Sequence, residues 1–115
     1  MVTVLTVDDQ SVFLRAAGDL IAATPGFEQV GQATSGAEAL ELAAALHPDL
    51  VLLDVRMPGM DGIETARRLR ESDPEAVVVL ISLEEFPDEA AGAAKLRKQE
   101  LSKQALQDIW ATYGR

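Results

Sequence analysis

Three stretches of the chain are nearly unbroken apolar sequence, and each gives way to a polar side chain. Residues 2–7 lead into Asp8 and Asp9, residues 50–55 carry Asp54 near their end, and residues 76–81 stop at Ser82. Short, continuous, β-branched runs of this kind predict strands buried on both faces. Residues 27–34, with Phe27, Val30 and Ala33 among polar neighbours, predict a less regular second strand, and residues 94–97 a short fifth segment.

Between these runs the period changes to that of a helix. Phe13, Ala16, Ala17, Leu20 and Ile21 recur at i, i+3, i+4, i+7 and i+8 until Pro25-Gly26 breaks the pattern. Ser35, with Glu38 three residues later, predicts a capping box for a helix through Ala39, Leu40, Ala43 and Leu46, which Pro48 stops. Asp61 is the expected N-cap of a helix bearing Ile63, Ala66 and Leu69, ended by Asp73-Pro74. A last helix carries Leu101, Ala105, Leu106, Ile109 and Trp110.

Strands alternating with helices at this spacing imply repeated βαβ units and a parallel sheet. No repeat, linker or low-complexity tract interrupts them, so residues 1–115 are expected to form one α/β domain with no second domain.

Composition narrows the function. Nineteen acidic against ten basic residues give a net charge of −9, which disfavours direct nucleic-acid contact and an anionic membrane surface. There is no cysteine, so thiolate chemistry is excluded, and the single His47 reads as a helix-end residue. No apolar run is long enough to span a bilayer and no signal peptide is visible, so the expected compartment is the cytoplasm.

In an open parallel sheet, ligands bind beyond the carboxyl ends of the strands. The strands here would deliver Asp8, Asp9, Asp54, Ser82 and Lys98 to that one edge. Crowded carboxylates repel one another, and a hard cation such as Mg²⁺, which prefers oxygen ligands, relieves the repulsion. A metal and an ammonium also allow an anionic carboxylate to approach an anionic phosphoryl group, while a hydroxyl on the next strand can bond its oxygen.

The segments Val7-Asp8-Asp9, Leu53-Asp54-Val55-Arg56-Met57-Pro58-Gly59-Met60-Asp61-Gly62, Ile81-Ser82 and Leu96-Arg97-Lys98 resemble the motifs of response-regulator receiver domains. The resemblance covers nearly the whole chain. It implies a flavodoxin-like, doubly wound sheet of five parallel strands in the order 2-1-3-4-5, with helices on both faces. It implies that Asp54 accepts a phosphoryl group from a sensor histidine kinase or phosphotransfer protein, and that the signal passes to a downstream protein. Mg²⁺ would be held by Asp9 and Asp54, by Asp8 through water, and by the backbone carbonyl of Arg56. Ser82 and Lys98 would contact the phosphoryl group. Such a domain catalyses only its own phosphorylation and dephosphorylation and is no conventional enzyme.

Three features depart from the family pattern. Only fifteen residues separate Ser82 from Lys98, so the fourth helix is expected to shrink to about one turn after Pro87. Lys95 takes the place of an aromatic switch residue, and Leu83 that of a small residue beside the phosphoryl site. Arg56 and Glu84, each two residues past a site residue, are expected to pair across the pocket mouth, gating it together with Leu83.

Three alternatives stand beside the phosphorylatable, stand-alone receiver. A degenerate receiver serving as a constitutive interaction module is favoured by Leu83, Lys95 and the short crossover, and opposed by the intact acids. An aspartyl-nucleophile phosphatase would need an acid where Arg56 stands. A DNA-binding regulator would need a segment beyond Trp110, where nothing of the kind is written.

Overall fold

The apolar runs occupy the middle of a five-stranded parallel sheet ordered β2-β1-β3-β4-β5. The computed structural model describes residues 1–90 and 92–114. Its strands are β1 (Val2–Val7), β2 (Phe27–Ala33), β3 (Leu50–Asp54), β4 (Val77–Ser82) and β5 (Ala94–Arg97). Among the described residues, four α-helices connect and follow them: α1 (Ser11–Ala22), α2 (Gly36–Leu46), α3 (Gly62–Ser72) and α4 (Lys103–Tyr113).

The runs are continuous because both sheet faces are dry, while the pleat sends alternate side chains to opposite faces. Leu5, Val7, Val51, Leu53, Val78 and Leu80 pack beneath α2 and α3 with Ala39, Ala43, Ala66 and Leu69. Val4, Leu50, Leu52, Val79 and Ile81 turn to the other face, against Ile21 of α1 and Leu106 of α4. All five residues of the central β3 are buried. Each such leucine contributes about 2 kcal/mol on leaving water.

Local signals mostly set the helix ends. Asp61 accepts from the Glu64 amide at 2.9 Å and Ser35 from the Glu38 amide at 3.1 Å. The capping box departs from expectation in one bond: Glu38 Oε1 takes the amide of Thr34, at 2.7 Å, rather than that of Ser35. On α1 the buried stripe is Leu14, Ala17 and Ile21, while Ala16 is exposed, so the apolar face is turned slightly from the one the periodicity predicts. Leu101 lies just before α4 but packs against the same core. His47 is the C-cap of α2, with φ 48° in the left-handed region.

Between β4 and β5 the described residues hold no α-helix. A single 3-10 turn, Asp88–Ala90, follows Pro87, in line with the shortened crossover. Ala90 is buried, and Phe86 packs against the core under α3 in place of a helix face. Within the shortened crossover after Pro87, Ala91 lies outside the described residues.

Candidate functional site

Three neighbouring strands end in the same local device. The side-chain oxygen of the strand-end residue accepts the backbone N–H two residues on: Asp8 from Gln10 at 2.8 Å, Asp54 from Arg56 at 3.2 Å, and Ser82 from Glu84 at 3.1 Å. Asp, Asn, Ser and Thr favour such turns because their short polar arms reach the following amides. The turn fixes each oxygen at the carboxyl edge of the sheet. Parallel pairing sets Asp54 beside Ile81 and Ser82 beside Arg97, which levels the strand ends.

Asp8, Asp54 and Ser82 are buried, while Asp9 is exposed at the rim. Asp8, Asp9 and Asp54 each present an oxygen within 4.8 Å of the others. The Lys98 side chain is only 7% exposed, and its ammonium stands 2.5 Å from Asp8 Oδ2 and 3.5 Å from Asp54 Oδ2. Asp8 Oδ2 nonetheless has no aligned hydrogen-bond donor, so its contact with Lys98 is Coulombic. Burial, and then the neighbouring Asp8 charge, push the Asp54 carboxyl up to about 6, against the opposing pull of the Arg56 amide and Lys98. Among the described residues, the site holds more negative charge than the Lys98 ammonium offsets.

The middle motif shapes the loop around Asp54. Met57 is buried, Gly59 takes φ 79°, and Gly62 brings the start of α3 against the strand. A Cβ on Gly62 would stand 2.2 Å from the Asp54 carbonyl oxygen. Above the acids lies a cavity of about 550 Å³ whose walls include Phe13, Lys98, Leu83 and Glu84. Arg56 Nε and Glu84 Oε2 meet at 3.3 Å, both side chains exposed, so the expected pair forms. Leu83 is 60% exposed at the same mouth.

With this geometry in hand, comparison with known proteins decides the family. A family model described as the response regulator receiver domain matches residues 4–108. The chain belongs to the response regulator receiver family.

Among curated relatives of this receiver is the nitrate/nitrite response regulator NarL of Escherichia coli K12. The two are 38% identical over 93 residues, 81% of this chain and 43% of that protein. The chain thus spans less than half the length of the curated relatives it matches. The receiver domain of a putative NarL from Mycobacterium tuberculosis aligns at TM-score 0.81 and 35% identity, covering 94% of this chain and 95% of that one. A chain of the CheX–CheY–BeF₃–Mg²⁺ complex from Borrelia burgdorferi aligns at TM-score 0.84 and 27% identity, covering 99% and 90%.

The structure brings together all of Asp8, Asp9, Asp54, Ser82 and Lys98, with Arg56, Leu83 and Glu84 around the mouth. Lys95 stays outside, exposed on β5, and no aromatic residue is on that strand. Three contributors were not legible as such in the sequence. Gln10 supplies an amide to Asp8, Gln99 Nε2 donates to the Leu83 carbonyl at 3.1 Å, and Phe13 faces Lys98. Phe13 was visible only as an apolar helix position. Nothing in the sequence marked the two glutamines.

Proposed function

We propose that this receiver accepts a phosphoryl group on Asp54 from a sensor histidine kinase or a phosphotransfer protein, in the cytoplasm. The phosphorylated form then engages a downstream protein. One observation carries the reading: among the described residues, three carboxylates with mutually close oxygens share a largely buried strand edge with the Lys98 ammonium. Such a set is costly for stability and is explained by a ligand of matching chemistry.

The donor set suits Mg²⁺, since it is all hard oxygen and includes a buried Asp8 oxygen with no aligned donor. Asp9 and Asp54 would hold the ion directly, Asp8 through water, and the Arg56 carbonyl would complete the protein ligands. When bound, the ion neutralises charge between the acceptor and the phosphoryl oxygens. Asp54 supplies the attacking carboxylate oxygen; as the new O–P bond forms, the donor's bond to phosphorus breaks and its electron pair leaves with the donor. Lys98 meets the charge on the peripheral oxygens, and the Ser82 hydroxyl bonds one of them. The complex containing a similar chain with BeF₃ and Mg²⁺ supports the same chemistry.

Arg56, Glu84 and Leu83 gate the pocket, limiting how readily water reaches the phosphoryl group. The net charge of −9 supports a protein partner over nucleic acid or an anionic membrane. Among the described residues no helix is long and apolar enough to cross a membrane. The reading concerns this one module.

The test is intact-mass measurement after incubation with Mg²⁺ and acetyl phosphate, for wild type and Asp54→Ala. A gain of about 80 Da (the mass of HPO₃) in wild type alone supports the reading. No gain in either protein, with a cognate kinase also failing, leaves a phosphorylation-independent interaction module instead.

A further inference from the structure

Among the described residues, three groups lie close to the Lys98 ammonium. Two are the carboxylates of Asp8 and Asp54 at 2.5 and 3.5 Å. The third is the Phe13 ring, with the ammonium over its face, 4.6 Å from the centroid. Phe13 lies in the first turn of α1, four residues after Asp9, and lines the same cavity as Asp54 and Ser82.

We propose that Phe13 is a positioning residue for phosphoryl transfer, its ring face holding the Lys98 ammonium against the two buried acids. The inference rests on the reading of Asp54 as acceptor. A lysine ammonium is strongly hydrated and rides on a flexible stem, so at an open cavity it tends to turn toward water. Asp8 and Asp54 hold it from one side but repel the phosphoryl group, so a further contact serves best when it carries no negative charge. Another carboxylate would hold it and repel the anion. An aliphatic side chain would exclude water but offer no attraction. An aromatic face attracts the cation through its quadrupole, carries no net charge, and keeps water from that side.

The benefit falls on the transfer step. As the Asp54 oxygen forms its bond to phosphorus, acetate leaves acetyl phosphate with the electrons of the broken P–O bond. Negative charge remains on the peripheral oxygens, where the held ammonium meets it without first shedding water. Phe13 also packs against the core shared by α1 and α4, so a merely structural role must be separated from positioning.

The test compares Phe13→Leu, Phe13→Tyr, and a series with phenylalanine carrying one to three ring fluorines placed at position 13 alone. The initial rate of phosphoryl mass gain from acetyl phosphate and Mg²⁺ is read beside the urea midpoint and the proton shifts of the Lys98 ε-methylene. Phe13→Leu is expected to slow the gain about 2- to 30-fold, the range a cation–π contact spans. Fluorination should slow it stepwise with the midpoint unchanged, and Phe13→Tyr should keep most of the rate. Wild-type speed in Phe13→Leu, or rates that follow the midpoint instead of the fluorine count, overturns the inference.

If wild type itself gains no phosphoryl mass from acetyl phosphate or from a cognate kinase, the acceptor reading is what fails. The ε-methylene protons then still decide the placement: shifted upfield by the ring in wild type and restored in Phe13→Leu, they support it. Unshifted in wild type, they overturn it.

Discussion

The Lys98 ammonium stands closer to Asp8, at 2.5 Å, than to the proposed acceptor Asp54, at 3.5 Å. The lysine that would meet the phosphoryl group therefore rests on a neighbouring acid and offsets the charge of both. Replacing it with Met leaves two buried carboxylates without their cation. Lys98→Met is expected to destabilise the fold by about 3 kcal/mol at pH 8, the usual cost of removing one buried partner. Urea denaturation should show a smaller loss at pH 5, where Asp54 takes up a proton, and partial recovery in Lys98→Met/Asp54→Asn.

Asp54 itself should carry a pH signature. Its folded pKa of about 6 lies above the ordinary aspartate value of 3.8, so the native state binds this proton more tightly than the unfolded chain. The resulting stability is full below about pH 4 and is lost as pH rises through about 6. Asp54→Asn, which keeps an oxygen for the Arg56 amide, is expected to stabilise the metal-free protein by about 1–3 kcal/mol at pH 7.5. Denaturation curves should show that gain shrinking toward zero near pH 4.

Magnesium should reverse the same penalty. At a hundred times its Kd it would raise wild-type stability by about 2.7 kcal/mol, by mass action alone. Asp9 is exposed and at the rim, so Asp9→Asn should barely change the metal-free fold while weakening the response to Mg²⁺. Thermal unfolding with and without Mg²⁺, and with chelator added back, separates the two effects.

The Arg56–Glu84 pair predicts a kinetic effect with little stability behind it. An exposed ion pair contributes about 0–1 kcal/mol, and salt screens it. Arg56→Ala and Glu84→Ala should each speed loss of the phosphoryl group several-fold, with the double variant no faster than the singles. Decay of the phosphorylated mass at low and high salt checks this, and an unchanged rate in Arg56→Ala removes the gate.

Gly62 is a packing constraint inside the acceptor motif. A Cβ there would lie 2.2 Å from the Asp54 carbonyl oxygen and 2.6 Å from the Val55 Cα, both backbone atoms that cannot swing away. Gly62→Ala is expected to cost about 3 kcal/mol, at the upper end for overpacking. It should also slow phosphorylation, because α3 must back away from the strand that carries Asp54. Urea titration and mass gain measure the two.

Much of this was legible in the chain itself. The continuous runs announced buried strands, Pro25-Gly26, Pro48 and Asp73-Pro74 marked the breaks, and Asp61 and Ser35 named their own caps. Those signals are local: a propensity, a period, a short side chain reaching an amide two or three residues away. The apolar-to-polar change at Asp8, Asp54 and Ser82 likewise placed them at one sheet edge, since parallel strands share a direction.

Contacts between distant segments were another matter. Whether Lys98 rests on Asp8 or Asp54, and that it lies over Phe13, depends on how the turn after β5 and the first turn of α1 meet above the carboxyl edge of the sheet. The sequence carries no signal for that meeting. Leu14, not Ala16, turns inward, and only the packing of α1 on the sheet decides which side of an apolar stripe is covered. Phe86 and Ala90 cover the sheet beside α3 because the crossover is too short for a helix, yet only packing could say which side chains fill the gap. The sequence by itself determined the elements, their order and the acids at the strand ends, all fixed by interactions within a few residues. Tertiary structure alone decided which neighbours each charge acquired, because electrostatics and burial act through space and take no account of separation along the chain.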